Sequence, residues 1–167
     1  MSEAVSIIIP AFNEESGIGE VLESIQNMMT AEKIDGEIIV VDDGSTDKTA
    51  EVVAASNVRL IQHETNRGYG ATLKTGIRQA KHDLMLITDA DGTYPVEAIP
   101  VLLAAMDKND MVVGARTGEH VKIPLREMTA GDQVSELVVV DFEIFPMAQS
   151  ELRNYRTIGV ELLRTGV

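Results

Sequence analysis

A chain of 167 residues, 44% hydrophobic and 25% charged, is long enough for one domain with a buried core and ordinary for a soluble globular protein. Its formal net charge of −13 argues against nucleic acid and against broad adsorption to anionic lipid, since both demand clustered Lys and Arg. Without cysteine there is neither a disulfide framework nor a thiolate metal site. Apolar runs such as Ile7–Ile9 and Val138–Val140 are too short to span a bilayer, and the N-terminus shows no secretory pattern, so a cytoplasmic location is expected.

Val5–Pro10 (V-S-I-I-I-P) is a nearly continuous apolar run, as in a strand buried on both faces. Ile18, Val21, Leu22, Ile25, Met28 and Met29 then recur at spacings of three and four, which predicts a helix capped by Asn13 or Ser16. Gly36 punctuates before a second strand, Glu37–Val41, which runs into D-D-G-S-T-D. Thr46 or Asp47 would cap the next helix, with Ala50, Val53 and Ala54 facing inward. A third strand, Val58–Ile61, leads through H-E-T-N-R-G-Y-G to a helix from about Ala71 to Ala80. A fourth, Leu84–Ile87, ends in D-A-D-G-T-Y-P. Val96–Met106 carries Ile99, Leu102, Leu103 and Met106 at helical spacing, and a fifth strand, Met111–Val113, runs into G-A-R at Gly114–Arg116. Beyond lie an apolar, strand-like stretch from Leu137 to Phe145 and a helix-compatible stretch from Gln149 to Leu163.

Strands alternating with helices imply an α/β fold with right-handed crossovers and a mostly parallel sheet covered by helices on both faces. In such a sheet ligands bind outside the carboxyl ends of the strands. The polar clusters A-F-N-E-E, D-D-G-S, N-R-G, D-A-D-G and G-A-R all fall at those ends. Turn chemistry explains any one of them; five in register favour a site.

Asp89 and Asp91 close a buried strand, where ionised carboxylates must be paired, hydrogen-bonded or bound to a cation. Hard oxygen ligands suit Mg²⁺ or Mn²⁺ carrying substrate phosphates, although a lone D-x-D also serves to cap a turn and helix. Pro10, Asn13 and Glu14 offer backbone and amide groups to a base or ribose, or else simply start a helix. Asp42 and Asp43 are adjacent, so one faces each way; either a base N–H or ribose hydroxyl is bound there, or Asp43 and Ser45 close a turn. Arg67 and Lys74 are candidates for neutralising a pyrophosphate, with Gly68 and Gly70 allowing close backbone approach. Arg116 is placed to reach a phosphate or sugar. His63, His82 and His120 are scattered and form no ligand set. No strand is followed by G-x-G-x-x-G, which argues against a dinucleotide-binding domain.

Taken together, V-S-I-I-I-P-A-F-N-E-E, E-I-I-V-V-D-D-G-S-T-D-K-T, N-R-G-Y-G-A-T-L-K-T-G, D-A-D-G-T-Y-P and V-V-G-A-R resemble the family 2 glycosyltransferases of the GT-A fold. They are most similar to the polyprenyl-phosphate branch, which includes dolichol-phosphate mannose synthases. The resemblance covers about residues 4–125 and implies a Rossmann-like nucleotide-sugar-binding domain over 1–125. It implies a GDP- or UDP-linked donor, a Mg²⁺ or Mn²⁺ ion, transfer with inversion, and a polyprenyl-phosphate or glycan acceptor reached from the cytoplasmic face of a membrane. By motif, Pro10, Ala11, Asn13 and Glu14 would line the nucleotide and Asp43 would contact the base. Arg67, Gly68, Lys74, Ala90 and Arg116 would complete the donor site, Asp89 would sit near ribose or metal, and Asp91 would be the principal metal ligand. Some relatives place a glutamine two residues after the second Asp, where this chain has Thr93. Residues 126–167 do not match the family; one strand and one helix packed on the same domain are expected there, from a truncated or divergent tail. No acceptor base is identified.

Two alternatives accompany this reading. A nucleotide-sugar-binding module without its acceptor half would bind and not transfer. D-A-D-G-T also resembles the haloacid-dehalogenase phosphatase signature, with Asp89 as nucleophile and Asp91 as general acid/base. The apolar tail would complete the sheet, cover its edge or pair with another copy, so a homo-oligomer is among the expectations.

Overall fold

The structure, a computed structural model, describes residues 4–108, 111–115, 137–141 and 161–164. Its strands are β1 (Val5–Ala11), β2 (Gly36–Asp42), β3 (Arg59–Gln62), β4 (Leu84–Ile87), β5 (Met111–Ala115), β6 (Leu137–Asp141) and β7 (Glu161–Arg164). Its helices are α1 (Ile18–Glu32), α2 (Thr49–Ala55), α3 (Tyr69–Gln79) and α4 (Ile99–Ala105), the last flanked by 3₁₀ turns at Val96–Ala98 and Met106–Lys108.

One sheet of order β3-β2-β1-β4-β6-β5-β7 results. β1 lies at its centre and pairs in parallel with β2 and β4, and β3 extends the parallel set. All seven residues of β1 are buried, as a near-continuous apolar run requires. Alternate residues of β1 serve opposite faces. Val5, Ile7, Ile9 and Ala11 join Ile18, Leu22 and Ile25 of α1, Val53 of α2, and Ile99 and Leu102 of α4. Ile8 faces Ile77 of α3 on the other side, with Met85 of β4. A side chain at Gly76 would collide with Ile8, so the helix rides close to the sheet there.

The parallel sheet with helices on both faces is as expected, and three features differ. β6 inserts antiparallel between β4 and β5, pairing with both. α4 packs on the α1 face, although β4 to β5 runs across the sheet opposite to β1 to β2. That connection therefore has the opposite hand to β1–α1–β2, and the right-handed rule does not hold for it. Finally, the helix expected from Gln149 to Leu163 ends instead in strand β7, parallel to β5. Residues 149–160 lie outside the described residues, as does the apolar stretch after Asp141. β6 and β7 both belong to the sheet that β1–β5 build, so residues 137–141 and 161–164 supply two of its strands.

At the amino ends of the strands Glu37 closes the fold. Its Oε1 accepts from Ser6 Oγ (3.1 Å) and the Lys81 N–H (2.7 Å), and its Oε2 faces Arg59 (3.5 Å) and Lys81 (3.6 Å). The opposite, carboxyl ends are where the polar loops gather.

Candidate functional site

The loop after β1 and the loop after β2 are stitched together residue by residue. Asn13 adopts φ 57°, a left-handed conformation that asparagine tolerates. Its N–H donates to Ser45 Oγ (2.9 Å), and its Oδ1 accepts from the Thr46 N–H (2.9 Å). The Glu14 N–H donates to Thr49 Oγ1 (2.8 Å), the Glu15 N–H to Asp47 Oδ2 (3.2 Å), and the Lys48 N–H to Glu15 Oε2 (2.9 Å). Asn13 thus braces the neighbouring loop. The helices start later than expected, at Ile18 and Thr49, behind Gly17 and Lys48, and neither has a side-chain cap at that position. Asp47 Oδ1 nevertheless accepts from the Thr49 N–H (2.9 Å) at the start of α2.

Asp42 and Asp43 face different partners, as adjacency in a strand demands. The Asp42 carboxylate accepts from the Ser45 N–H (3.0 Å), the Ser45 hydroxyl and Gln62 Nε2 (3.3 Å), which closes the D-D-G-S turn. Asp43 is only 3% exposed. Its Oδ1 accepts from the Arg67 N–H (2.9 Å) and lies 2.6 Å from His63 Nδ1, and its Oδ2 accepts from the Gly68 N–H (2.8 Å). Burial alone would raise its pKa, but the bonds from His63, Arg67 and Gly68 outweigh it and hold the group below its ordinary value. Three of about four acceptor directions are filled by the chain itself, which leaves one on Oδ2. Gly44 makes this possible. At φ 72° it passes so close to Thr65 and Asn66 that a Cβ would lie 2.7–2.9 Å from their backbone.

Asp89 and Asp91 follow β4 in a more open setting. Asp91 is exposed, and its Oδ1 accepts from the Thr93 N–H (2.9 Å) and Thr93 Oγ1 (2.6 Å). Thr93 therefore orients Asp91. Burial, and then the charges of Asp91, Asp47 and Asp89, raise the pKa of Glu14, so the acidic groups of three loops lie within electrostatic reach. Burial and Asp89 likewise push the Tyr69 phenol up.

Among the described residues no three carboxylate or imidazole groups converge into a ready-made cation cage. Mg²⁺ and Mn²⁺ do not need one, because they complete their shells with water and substrate phosphates. Two hard carboxylates with a third in reach fit such a cation, and Asp91 and Asp89 are the groups that would hold it. On the α1 side of this turn lies a cavity of about 350 Å³, bounded by Gly17, Val21, Asp89, Asp91, Glu20 and Glu97 among others. The carboxylates of Glu20 and Glu97 on its wall oppose a bare phosphate there.

Of the sequence-derived site residues, Asn13, Glu14, Asp43, Gly68, Asp89 and Asp91 come together at these strand ends. Pro10, Ala11 and Ala90 are buried; Ala11 supplies only its carbonyl, to the Asp43 N–H (2.9 Å). Arg67 is exposed and its backbone holds Asp43. Lys74 lies half-buried within α3, and Arg116 is outside the described residues. Nothing would obstruct a Cβ at Gly68 or Gly70 within 4 Å, so both face open space. In the sequence His63 is one of three scattered histidines, Ser45 enters only as closing a turn with Asp43, a turn that Asp42 closes instead, and nothing marks Thr49 or Thr75. The parallel register pairing Asp42 with Gln62 sets His63 beside Asp43, a signal visible only once β2 and β3 are aligned.

The family model described as Glycosyl transferase family 2 matches residues 6–155, so the match runs past the boundary expected near residue 125 and corrects the reading of 126–155 as outside the family. An undecaprenyl-phosphate 4-deoxy-4-formamido-L-arabinose transferase of Pseudomonas fluorescens (strain Pf0-1) is 38% identical over 73% of this chain and 38% of its own length. A dolichol-phosphate mannosyltransferase of Mycosarcoma maydis is 34% identical over 71% of this chain and 44% of its own. Among solved structures, glucosyl-3-phosphoglycerate synthase from Mycobacterium tuberculosis, in complex with Mn²⁺, uridine diphosphate and glucosyl-3-phosphoglycerate, superposes with a TM-score of 0.59 at 27% identity. It covers 70% of this chain and 45% of that one. The chain thus spans under half the length of each of these three proteins.

Proposed function

Because the chain belongs to glycosyl transferase family 2, we propose that its strand-end site holds a nucleoside-diphosphate sugar together with Mg²⁺ or Mn²⁺, and that the sugar leaves with inversion for a polyprenyl phosphate. The supporting observation is the pair of acidic centres on either side of β1: the prearranged Asp43 at the end of β2, and the open Asp89–Asp91 turn at the end of β4. Membership of this family also displaces the phosphatase reading of D-A-D-G-T.

In this reading the remaining acceptor direction of Asp43 takes a base N–H or a ribose hydroxyl. The unobstructed backbone at Gly68 and Gly70 admits the diphosphate, and Arg67 and Lys74 neutralise part of its charge. Asn13 keeps the β1 and β2 loops in one arrangement around the nucleotide. Asp91, oriented by Thr93, and Asp89 hold the cation, which when bound offsets the charge on the departing nucleoside diphosphate. The acceptor class rests on the relatives whose names specify undecaprenyl and dolichol phosphates. No helix among the described residues is long and apolar enough to cross a membrane.

Calorimetric titration with UDP and GDP, each with Mn²⁺ or Mg²⁺ and then with chelator, tests the donor site. Binding that needs the metal and disappears in Asp91→Ala is expected. Binding that survives both chelation and Asp91→Ala would remove the metal role. Transfer to a polyprenyl phosphate is assayed separately; binding without transfer would assign this chain the holding of the donor alone.

A further inference from the structure

His63 has no task in the reading above, yet it is the buried link between three elements. Its side chain is 5% exposed. Asp43 continues β2, His63 continues β3, and Thr75 lies one and a half turns into α3, with His63 Nε2 2.9 Å from Thr75 Oγ1. The partners dictate where the protons are. Asp43 receives two backbone N–H groups and is held as a carboxylate, which only accepts. Nδ1, 2.6 Å from Asp43 Oδ1, therefore carries a proton. Across the ring, Thr75 Oγ1 is also 3.0 Å from the Ala71 carbonyl. A carbonyl only accepts, so the single Thr75 proton serves either Ala71 or Nε2. In the first case Nε2 donates and the ring is an imidazolium facing a carboxylate. In the second the ring is neutral and α3 gives up that bond. The Nδ1–H to Asp43 bond is common to both.

We propose that His63 is a positioning residue of the nucleotide site: it clamps Asp43 Oδ1 against α3, so that Oδ2, beside the open backbone of Gly68, is the oxygen presented to the nucleotide. This rests on the nucleotide-sugar reading of the site. Among the described residues both acceptor directions of Oδ1 are used, by His63 and the Arg67 N–H, whereas Oδ2 receives only the Gly68 N–H. Loss of the Nδ1 donor would let the carboxylate turn and would unlink it from α3.

Two substitutions in the full chain separate a donor from a filler. His63→Asn puts an amide N–H near the place of Nδ1, whereas His63→Leu fills space and donates nothing. Affinity for UDP or GDP with Mn²⁺ should fall about tenfold in His63→Leu and return to within about threefold of wild type in His63→Asn. A packing role alone would instead rank the variants by thermal midpoint, with affinity following. Wild-type affinity in a folded His63→Leu overturns the proposal. Should His63→Leu not fold, the ¹⁵N spectrum of the wild-type histidine rings decides. One ring is expected with Nδ1 protonated and its proton signal far downfield, moving when nucleotide is added. An unprotonated Nδ1, or a signal indifferent to bound nucleotide, overturns it. The two possible failures are distinct: wild type that binds neither nucleotide sinks the donor-site reading and this role with it, whereas wild type that binds while the variants match it sinks only the role of His63.

Discussion

Asp42–Asp43 and Asp89–Asp91 stand at the ends of the two strands that flank β1, and the fold treats them oppositely. Asp42 and Asp43 are buried, 1% and 3% exposed, and accept from backbone N–H groups, a hydroxyl, an amide and an imidazole. The Asp91 carboxylate is exposed and, among the described residues, is tied only to its own turn, through Thr93. Charge at the end of β2 is thus satisfied by the protein before any ligand arrives. Near β4 it accumulates instead: burial is the first cause of the raised pKa of Glu14, and the charges of Asp91, Asp47 and Asp89 add to it. A preorganised centre costs little to reorganise on binding, whereas the exposed Asp91 carboxylate is open to a cation.

Removing one carboxylate from each centre gives the largest contrast. Asp43→Ala leaves the Arg67 and Gly68 N–H groups and His63 Nδ1 without their acceptor, which should cost about 3 kcal/mol. For a chain of this size that is a fall of roughly 6–12 °C in thermal midpoint. Asp91→Ala should change stability by less than about 0.5 kcal/mol while abolishing metal-dependent nucleotide binding. Equal stability losses in the two variants would break the comparison. Acid titration sharpens it. A carboxyl held below its ordinary value contributes stability that is complete above the ordinary value and is lost as pH falls through the lowered one. Asp43 is so held, and so is Glu37, where the Lys81 N–H, Ser6, Lys81 and Arg59 outweigh the effect of burial. The wild type should therefore weaken below about pH 4, and Asp43→Ala should show a shallower acid limb in urea unfolding.

Gly44→Ala is the next effect in size. The φ of 72° alone costs about 1–2 kcal/mol for a residue with a Cβ. That Cβ would also push the backbone of Thr65 and Asn66, and with it the N–H groups that hold Asp43. A loss of about 2 kcal/mol by denaturant midpoint is expected, together with weaker nucleotide binding. Unchanged affinity would mean that the 64–68 loop does not set the Asp43 geometry.

These contrasts also explain what could be read from the sequence. β1, β2 and β4 were legible because a strand buried on both faces must be continuously apolar, and their polar ends then fell in register. The antiparallel insertion of β6 was not, because Val138–Val140 reads alike in either direction and either position; only the pairing with Leu84–Ile87 decides. β7 reads in sequence as the end of a helix because E-L-L-R fits both periods. At the site, residue types were readable and partners were not. Asn13 looked like a helix cap, but its Oδ1 takes the Thr46 N–H, 33 residues away. His63 looked isolated until the β2–β3 register put it beside Asp43.

The smallest expected effect lies at Glu14, which joins the two centres. Its backbone is bound to the β2 loop through Thr49, while its carboxyl feels Asp91, Asp47 and Asp89. With its pKa raised above the ordinary 4.5, first by burial and then by these charges, the folded state holds the proton more tightly than the unfolded chain. Stability should therefore decline as pH rises from 4.5 through the raised value, and stay lower above it. Glu14→Gln removes the titration, so its stability should be flat across that window and exceed wild type at pH 7 by roughly a few tenths of a kcal/mol, the screening of a partly exposed group keeping the gain small. Asp91→Ala relieves part of the same repulsion, so the double variant should gain less than the sum of the two. Additive gains in thermal unfolding at pH 7 would show that Glu14 and Asp91 act separately. The open centre would then end at β4 rather than reach across β1 to the closed one.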